Sequence, residues 1–299
     1  MSLPARKILV QKPKEERLLS DKALAALPAL DSGKWVFQPK FDGCSIIILV
    51  GVNVVRIFSR EGKECTSMPH IAEHFRINSV PNMCYFGEAY DPNLLFKDIS
   101  GAFRRHAPQF NLEAWLFDAV TLQEFRAGRS ERPYALRIKA LKHVADRKFG
   151  VIPPITLGTR EEVQEQIDNI RAYGYKLELD GMMAKQADGI WIAGDDTEGR
   201  TLKLKNKISV DLRCIGLTEG KGKFAGMIGS LRVRFNGKEA EVSGGKMTTK
   251  ERKFWFSTGH RSNIVDKIIE VHALGITPDG NLREPVYQHI RYDKTEESI

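Results

Sequence analysis

Lys40-Phe41-Asp42-Gly43 sets a lysine beside an acidic residue and a glycine, at the end of a stretch that reads as strand. Pro39, just before it, cannot donate to a ladder, so this backbone belongs at a strand end or sheet edge, free to meet a ligand. Outward from it the chain alternates strand and turn: Trp35 to Gln38, the β-branched run Ile46-Ile47-Ile48-Leu49-Val50, a turn over Gly51 to Asn53, then Val54 to Phe58. One such tetrad recurs by chance in unrelated chains, so its meaning depends on what else the chain supplies.

Downstream, Thr159-Arg160-Glu161-Glu162 has capping-box spacing, and Val163, Ile167 and Ile170 then share one helical face before Gly174. A rougher helical period follows Pro133 through Leu136, Ile138, Leu141 and Val144. After Lys207 the character changes to short strands, Asp211 to Gly216, Leu231 to Phe235 and Lys238 to Val242, the last two joined by an Asn236-Gly237 turn. That hairpin sets Arg232 and Arg234 opposite Leu231, Val233 and Phe235. A helix is expected from about Ser262 to Leu274, with Ile264, Val265, Ile268 and Ile269 inward, and residues Thr295 to Ile299 are expected to form a loose tail. The pattern predicts an α+β chain of two domains. Residues 1–207 would hold antiparallel sheets, and 208–299 a small Greek-key barrel of the oligonucleotide-binding (OB) kind.

The 299 residues are enough for two cores, and 46 basic against 38 acidic residues leave a charge of +8, which favours a polyanionic partner. Cys44, Cys65, Cys84 and Cys214 have neither zinc-ligand nor disulfide-framework spacing. With no membrane-length apolar run and no signal-type segment after Arg6-Lys7, the expected setting is cytoplasmic, with no membrane partner.

The tetrad is followed in order by Ser59-Arg60-Glu61-Gly62-Lys63, Phe86-Gly87-Glu88, Trp115-Leu116-Phe117-Asp118, Asp180-Gly181-Met182-Met183-Ala184-Lys185, Leu202-Lys203-Leu204-Lys205, Arg283-Glu284-Pro285 and Arg291-Tyr292-Asp293-Lys294. From Gln38 to Lys294 this series resembles the covalent nucleotidyltransferases, and among them the short ATP-dependent DNA ligases typical of phages. The resemblance implies a nucleotidyltransferase domain followed by an OB-fold domain, acting as a monomer on nicked duplex DNA in replication, repair and recombination. Lys40 would be the nucleophile that takes AMP from ATP, AMP would pass to the 5′-phosphate at a nick, and the 3′-hydroxyl would displace it.

Other roles follow from the same resemblance. Gln38 and Pro39 would read the adenine edge, Phe117 would stack on adenine with Trp115 as the alternative, and Glu88 would lie near the ribose and the metal. Arg60 and Lys63 would hold phosphate or the DNA end, and Lys185 would grip the nucleotide. Lys203 and Lys205, one residue apart on a strand, would face one phosphate site. They would help keep Lys40 unprotonated, as a lysine nucleophile must be. Arg291, Asp293 and Lys294 would meet the pyrophosphate when the barrel closes. Mg2+, or alternatively Mn2+, would offset charge on ATP, with Glu88 and Asp180 as candidate ligands.

Two departures stand out. Ser45 occupies a position where the family commonly has arginine, with Arg56 or Arg60 as possible substitutes, and Asp180 replaces the usual glutamate. ATP is expected over NAD because neither a nicotinamide-binding segment nor zinc-spaced cysteines are seen. The Arg283-x-Pro285 element disfavours an RNA capping guanylyltransferase, and the nucleophile series disfavours a noncatalytic nucleic-acid-binding protein.

Overall fold

The computed structural model describes residues 9–15, 25–159, 161–163, 165, 168–169, 179–196, 200–204, 208–257, 264–277 and 279–298. The chain divides into two compact units, the first ending at Leu204. Ile167, Ile170 and Gly174 lie outside the described residues, but the capping box ahead of them forms: Thr159 Oγ1 accepts from Glu162 N, and Glu162 accepts from Thr159 N.

In chain order the first unit holds β1 (Gln11–Lys12), β2 (Lys14–Glu15), β3 (Trp35–Phe41), β4 (Cys44–Val50), β5 (Val55–Ser59), β6 (Glu64–Cys65), α1 (Pro69–Asn78), β7 (Met83–Tyr90), α2 (Phe96–Phe103) and β8 (Glu113–Thr121). There follow α3 (Leu122–Ala127), β9 (Arg129–Ser130), α4 (Tyr134–Arg137), β10 (Val151–Ile152), β11 (Leu179–Gln186), β12 (Trp191–Ile192), β13 (Gly194–Asp195) and β14 (Thr201–Leu204). One sheet has the order β10-β8-β7-β4-β5-β6, and a second has β2-β14-β11-β3. The apolar run of β4 makes it a central strand of the larger sheet. Ile46, Ile48 and Val50 enter one core, while Ile47 and Leu49 enter another on the opposite face. Burying each such side chain contributes about 1.5–3 kcal/mol, which anchors the strand that follows the Lys40 turn. β3 is an edge strand, so Pro39 costs no ladder bond on its open side. The expected helix after Pro133 is one short turn, α4, continued by a 3-10 segment over Ile138–His143.

The second unit is a closed barrel of β15 (Ile208–Glu219), β16 (Ile228–Phe235), β17 (Lys238–Ser243), β18 (Ile268–Ala273) and β19 (Val286–Ile290), in the order β15-β16-β17-β19-β18. Asn236 and Gly237 turn the β16–β17 hairpin with φ of 48° and 76°, the conformation that Asn-Gly tolerates. Val233 and Phe235 point inward, and Arg232 and Arg234 are exposed.

Two expectations are corrected here. The inserted helix is α5 (Thr249–Phe256), started by a Thr248/Glu251 capping box, whereas Ile268 to Ala273 is strand. There the alternation of Ile269, Val271 and Ala273 inside with Glu270 and His272 outside has a period of two, and β-branched residues favour that choice. The tail is also tied down. Ser298 and Asp211 exchange backbone hydrogen bonds of 2.7 and 2.9 Å, and Arg213 Nη2 donates to the Thr295 carbonyl.

Candidate active site

The two larger sheets of the first unit face one cavity of about 920 Å³. Strand periodicity decides which side chains reach it. On the smaller sheet the register aligns Gln38 of β3, Met183 of β11 and Lys203 of β14 in one row, and all three line the cavity. Lys40 and Lys185, two residues along their strands, lie on the same face. The other face carries Phe37, Met182, Ala184, Leu202 and Leu204 into a core. On the larger sheet Ser45, Glu88 and Trp115 form a facing row.

Phe117 reaches the cavity through a β-bulge. Phe86 pairs with Asp118 and Gly87 with Leu116, which leaves Phe117 as the extra residue. Phe117 and its neighbour Asp118 therefore both line the cavity. The carbonyl of Phe117 accepts from Tyr134 Oη at 2.9 Å and from Lys185 Nζ at 3.2 Å. That ammonium also lies 4.7 Å from the Phe117 ring centroid and 4.5 Å from that of Tyr134. Burial lowers the Lys185 pKa to about 8, against the attraction of Asp118. Asp118 is held in turn by buried Arg137, through Nε at 2.9 Å and Nη2 at 3.0 Å, and Arg137 also donates to the Gly189 carbonyl. This bidentate pair fixes α4 and thereby Tyr134. Trp115 lines the cavity too, but its ring packs against Phe41 and Tyr90 and its Nε1 donates to Glu113, so it builds the wall.

Glu88 is the site's most perturbed acid. Burial raises its pKa from an ordinary 4.5 to about 8. Lys40 and Arg60 pull it down, Asp42 pushes it up, and the Gly43 N–H favours the charged form. Gly43 is a spatial necessity, since a Cβ there would stand 2.5 Å from the Ala89 carbonyl oxygen and 2.8 Å from Glu88 Cγ. A glycine after Lys40-Phe41-Asp42 thus lets the turn close onto Glu88. Among the described residues no group of three or more His, Cys, Asp or Glu could hold a metal ion by itself.

Pro39 and Arg60 also line the cavity, whereas Lys63 is exposed and outside that lining. Lys205 and the side chain of Asp180 lie outside the described residues. Within the barrel unit Arg291 donates to both oxygens of Asp211 at 3.0 Å and pairs with Asp293, and Lys294 also pairs with Asp211. Sequence reading missed Tyr134, the Asp118–Arg137 pair and the β1 segment, whose Gln11 and Lys12 line the cavity. Nothing in the sequence marked them, since their place depends on pairing with distant elements. β1, for instance, lies against β13.

Of the two candidates to replace the arginine absent at Ser45, Arg60 lines the cavity and Arg56 is engaged elsewhere. It is bound by Glu64 at 2.8 and 2.6 Å and does not line the cavity. Arg60→Ala is therefore expected to slow single-turnover nucleotide transfer to the protein on the order of tenfold, the cost of a charge-assisted contact of about 1.5–3 kcal/mol. Arg56→Ala should leave the rate near normal. Equal losses in both variants, or a large gain from Ser45→Arg, would refute the assignment.

Known proteins resemble this chain in sequence and in fold. Residues 219–291 match the family described as the DNA ligase OB-like domain. A DNA ligase of Methanothrix thermoacetophila is 26% identical over 287 residues, covering 91% of this chain and 49% of its own length. The multifunctional non-homologous end joining protein LigD of Mycolicibacterium smegmatis is 24% identical over 308 residues, covering 89% and 37%. This chain thus spans half or less of these curated relatives. Among solved structures, a Lig E DNA ligase superposes with a TM-score of 0.63 at 16% identity, over 94% of this chain and 98% of its own. The ATP-dependent DNA ligase of bacteriophage T7, in complex with ATP, gives 0.52 at 16% identity, over 95% and 98%. The fold is that of the ATP-dependent DNA ligases. In this ligase fold the cavity lies wholly in the first unit and the OB-like match wholly in the second.

Proposed function

We infer that this protein is an ATP-dependent DNA ligase that joins a 3′-hydroxyl to a 5′-phosphate at nicks in duplex DNA. The observation that carries the reading is the convergence of Lys40, Arg60, Glu88, Phe117, Lys185 and Lys203 on one nucleotide-sized cavity within a ligase fold.

In the first step the Lys40 amine attacks the α-phosphorus of ATP. A P–N bond forms, the bond to the β-phosphate oxygen breaks, pyrophosphate leaves, and the ammonium proton is released. AMP then passes to the 5′-phosphate of the nick, restoring the amine. Finally the 3′-hydroxyl attacks that phosphorus, AMP departs and the strand is whole. Lys203 and Lys185 neutralise phosphate charge, Arg60 offers the forked contact suited to a phosphate or DNA end, and Phe117 stacks the base. Gln38 and Pro39 stand where the base edge would be read.

The residues present fit a divalent cation carried in on the triphosphate rather than one caged by protein. Glu88 is a half-buried carboxyl facing the cavity, Asp118 there is already held by Arg137, and a cation needs only one or two carboxylates when phosphates supply the remaining oxygens. Magnesium, or manganese, would screen the triphosphate during attack.

Intact mass after incubation with ATP or GTP tests the reading. An AMP adduct, together with sealing of a nicked duplex, is expected. A GMP adduct would point to RNA capping, and no adduct with either nucleotide would leave only a binding protein.

A further inference from the structure

Tyr134 does not line the cavity, yet it touches three residues that do: Gln38, Phe117 and Lys185. It is 1% exposed on α4, and its position is fixed from several sides. The Tyr134 and Ala135 N–H groups donate to the Gly189 and Ala187 carbonyls, each at 2.9 Å, and the Arg137 guanidinium lies 5.4 Å from the ring centroid. The phenol is therefore held against the sheet that carries Gln38 and Lys185.

A tyrosine hydroxyl has one proton to give and lone pairs to accept with. Here the proton goes to the Phe117 carbonyl at 2.9 Å, an oxygen that can only accept. Burial, together with the charge of Asp118, raises the Tyr134 pKa well above its ordinary 10, so that proton stays in place at every working pH. Gln38, 4% exposed on β3, is hydrogen-bonded to the same hydroxyl. With the phenol proton already committed, Tyr134 must accept in that bond, and Gln38 Nε2 must donate. The amide is thereby turned one way, with Nε2 toward Tyr134 and Oε1 left to face the cavity that Gln38 lines.

Resting on the ligase reading, we propose that Tyr134 is a positioning residue for base selection: it fixes the Gln38 amide so that an acceptor meets the base edge. An acceptor there suits a purine with an amino group at C6 and opposes one with an oxygen at C6. Without the phenol oxygen the amide is free to turn over and offer its N–H instead. With Tyr134 in place, that turn would set Oε1 against an oxygen whose proton is already used, or would take the proton away from Phe117. The discrimination that depends on the hydroxyl is that of one buried hydrogen bond, on the order of tenfold.

The test uses the full chain with ATP and inosine triphosphate, which differ only by an oxygen in place of the amino group at C6 and a hydrogen on N1. Adduct formation at subsaturating nucleotide, and equilibrium affinity for each nucleotide without magnesium, are measured for wild type, Tyr134→Phe, Gln38→Glu and the double variant. Tyr134→Phe should lower the preference for ATP on the order of tenfold. A glutamate at position 38 has oxygen at both ends of its head group, so in the Gln38→Glu background Tyr134→Phe should leave the preference unchanged. Equal losses with both nucleotides in both backgrounds would show that Tyr134 only props the fold, and would overturn the assignment. Should Tyr134→Phe melt early, Gln38→Glu decides alone. A carboxylate has no N–H to present, so a retained preference for ATP supports the assignment, and a lost one would mean that Gln38 meets the base with its N–H. Normal adduct formation with an unmoved preference in Tyr134→Phe would overturn this proposal and leave the ligase reading standing. A wild type whose binding prefers ATP, with that preference lost in Tyr134→Phe, yet which takes no AMP, would do the reverse.

Discussion

Lys40→Ala is expected to form no AMP adduct above background with ATP, while sealing a nick that already carries AMP on its 5′-phosphate at a rate of the same order as the wild type. The asymmetry follows from the role. A lysine nucleophile is consumed and restored before the 3′-hydroxyl attacks, so only the opening step needs its amine. Its charge could matter in both steps, because Lys40 is one of the groups that draw down the Glu88 pKa. Lys40→Arg separates the two effects: guanidinium keeps the positive charge and is not a nucleophile near neutral pH. It should equal Lys40→Ala in adduct formation and match or exceed it in sealing the adenylylated nick. An acid-labile adduct of normal yield in either variant would remove Lys40 from the mechanism. The expected loss is complete because no other described lysine occupies the edge-strand turn that Gly43 lets close onto Glu88.

What the sequence revealed and what it hid divide along physical lines. Local chemistry was legible. The Asn236-Gly237 hairpin, the Thr159 capping box, the apolar run of β4 and the edge position of Pro39 follow from dihedral preference and period, which a short window contains. Long-range pairing was not. The period of two in Ile269 to Ala273 is short enough to be overlooked beside Ile264, Val265 and Ile268, and pairing with β15 on one side and β19 on the other is what makes the segment strand. At the site, strand phase put Lys40 at a strand end and Lys203 on one face, while Gln38 and Lys185 were named through resemblance, and all four line the cavity. Arg56 showed the limit, because a strand position says nothing about the glutamate that captures it across the hairpin. Phe117 was named through resemblance alone. Its exposure to the cavity comes from a bulge, and a bulge shifts register without any mark in the sequence.

Glu88→Gln is expected to make the protein more stable and nucleotide transfer to Lys40 slower, and the size of both effects should depend on pH. The folded-state pKa of Glu88, about 8, lies above its ordinary 4.5, so between these values the folded chain keeps a proton that the unfolded chain has released. For this group stability is therefore undiminished below about pH 4.5, falls as pH rises to about 8, and stays lowered beyond that. The full shift would set an upper bound of several kcal/mol, and partial solvent access reduces it to about 1–3 kcal/mol. Glutamine keeps the shape of the protonated acid and removes the titration. Its melting temperature should match the wild type near pH 4.5 and exceed it by several degrees near pH 8.5, at about 2–4 °C per kcal/mol for a chain of this size. The same substitution removes the negative charge that would help hold a cation on the triphosphate. Nucleotide transfer to Lys40 should thus slow on the order of tenfold or more and need more magnesium to saturate. A cation at Glu88 also favours the ionised form, so in wild type magnesium with a nonhydrolysable ATP analogue should narrow the stability gap at high pH. A gap that ignores pH would show that Glu88 is not the buried acid described here. A gap that follows pH but ignores magnesium would keep the burial and remove Glu88 from metal binding.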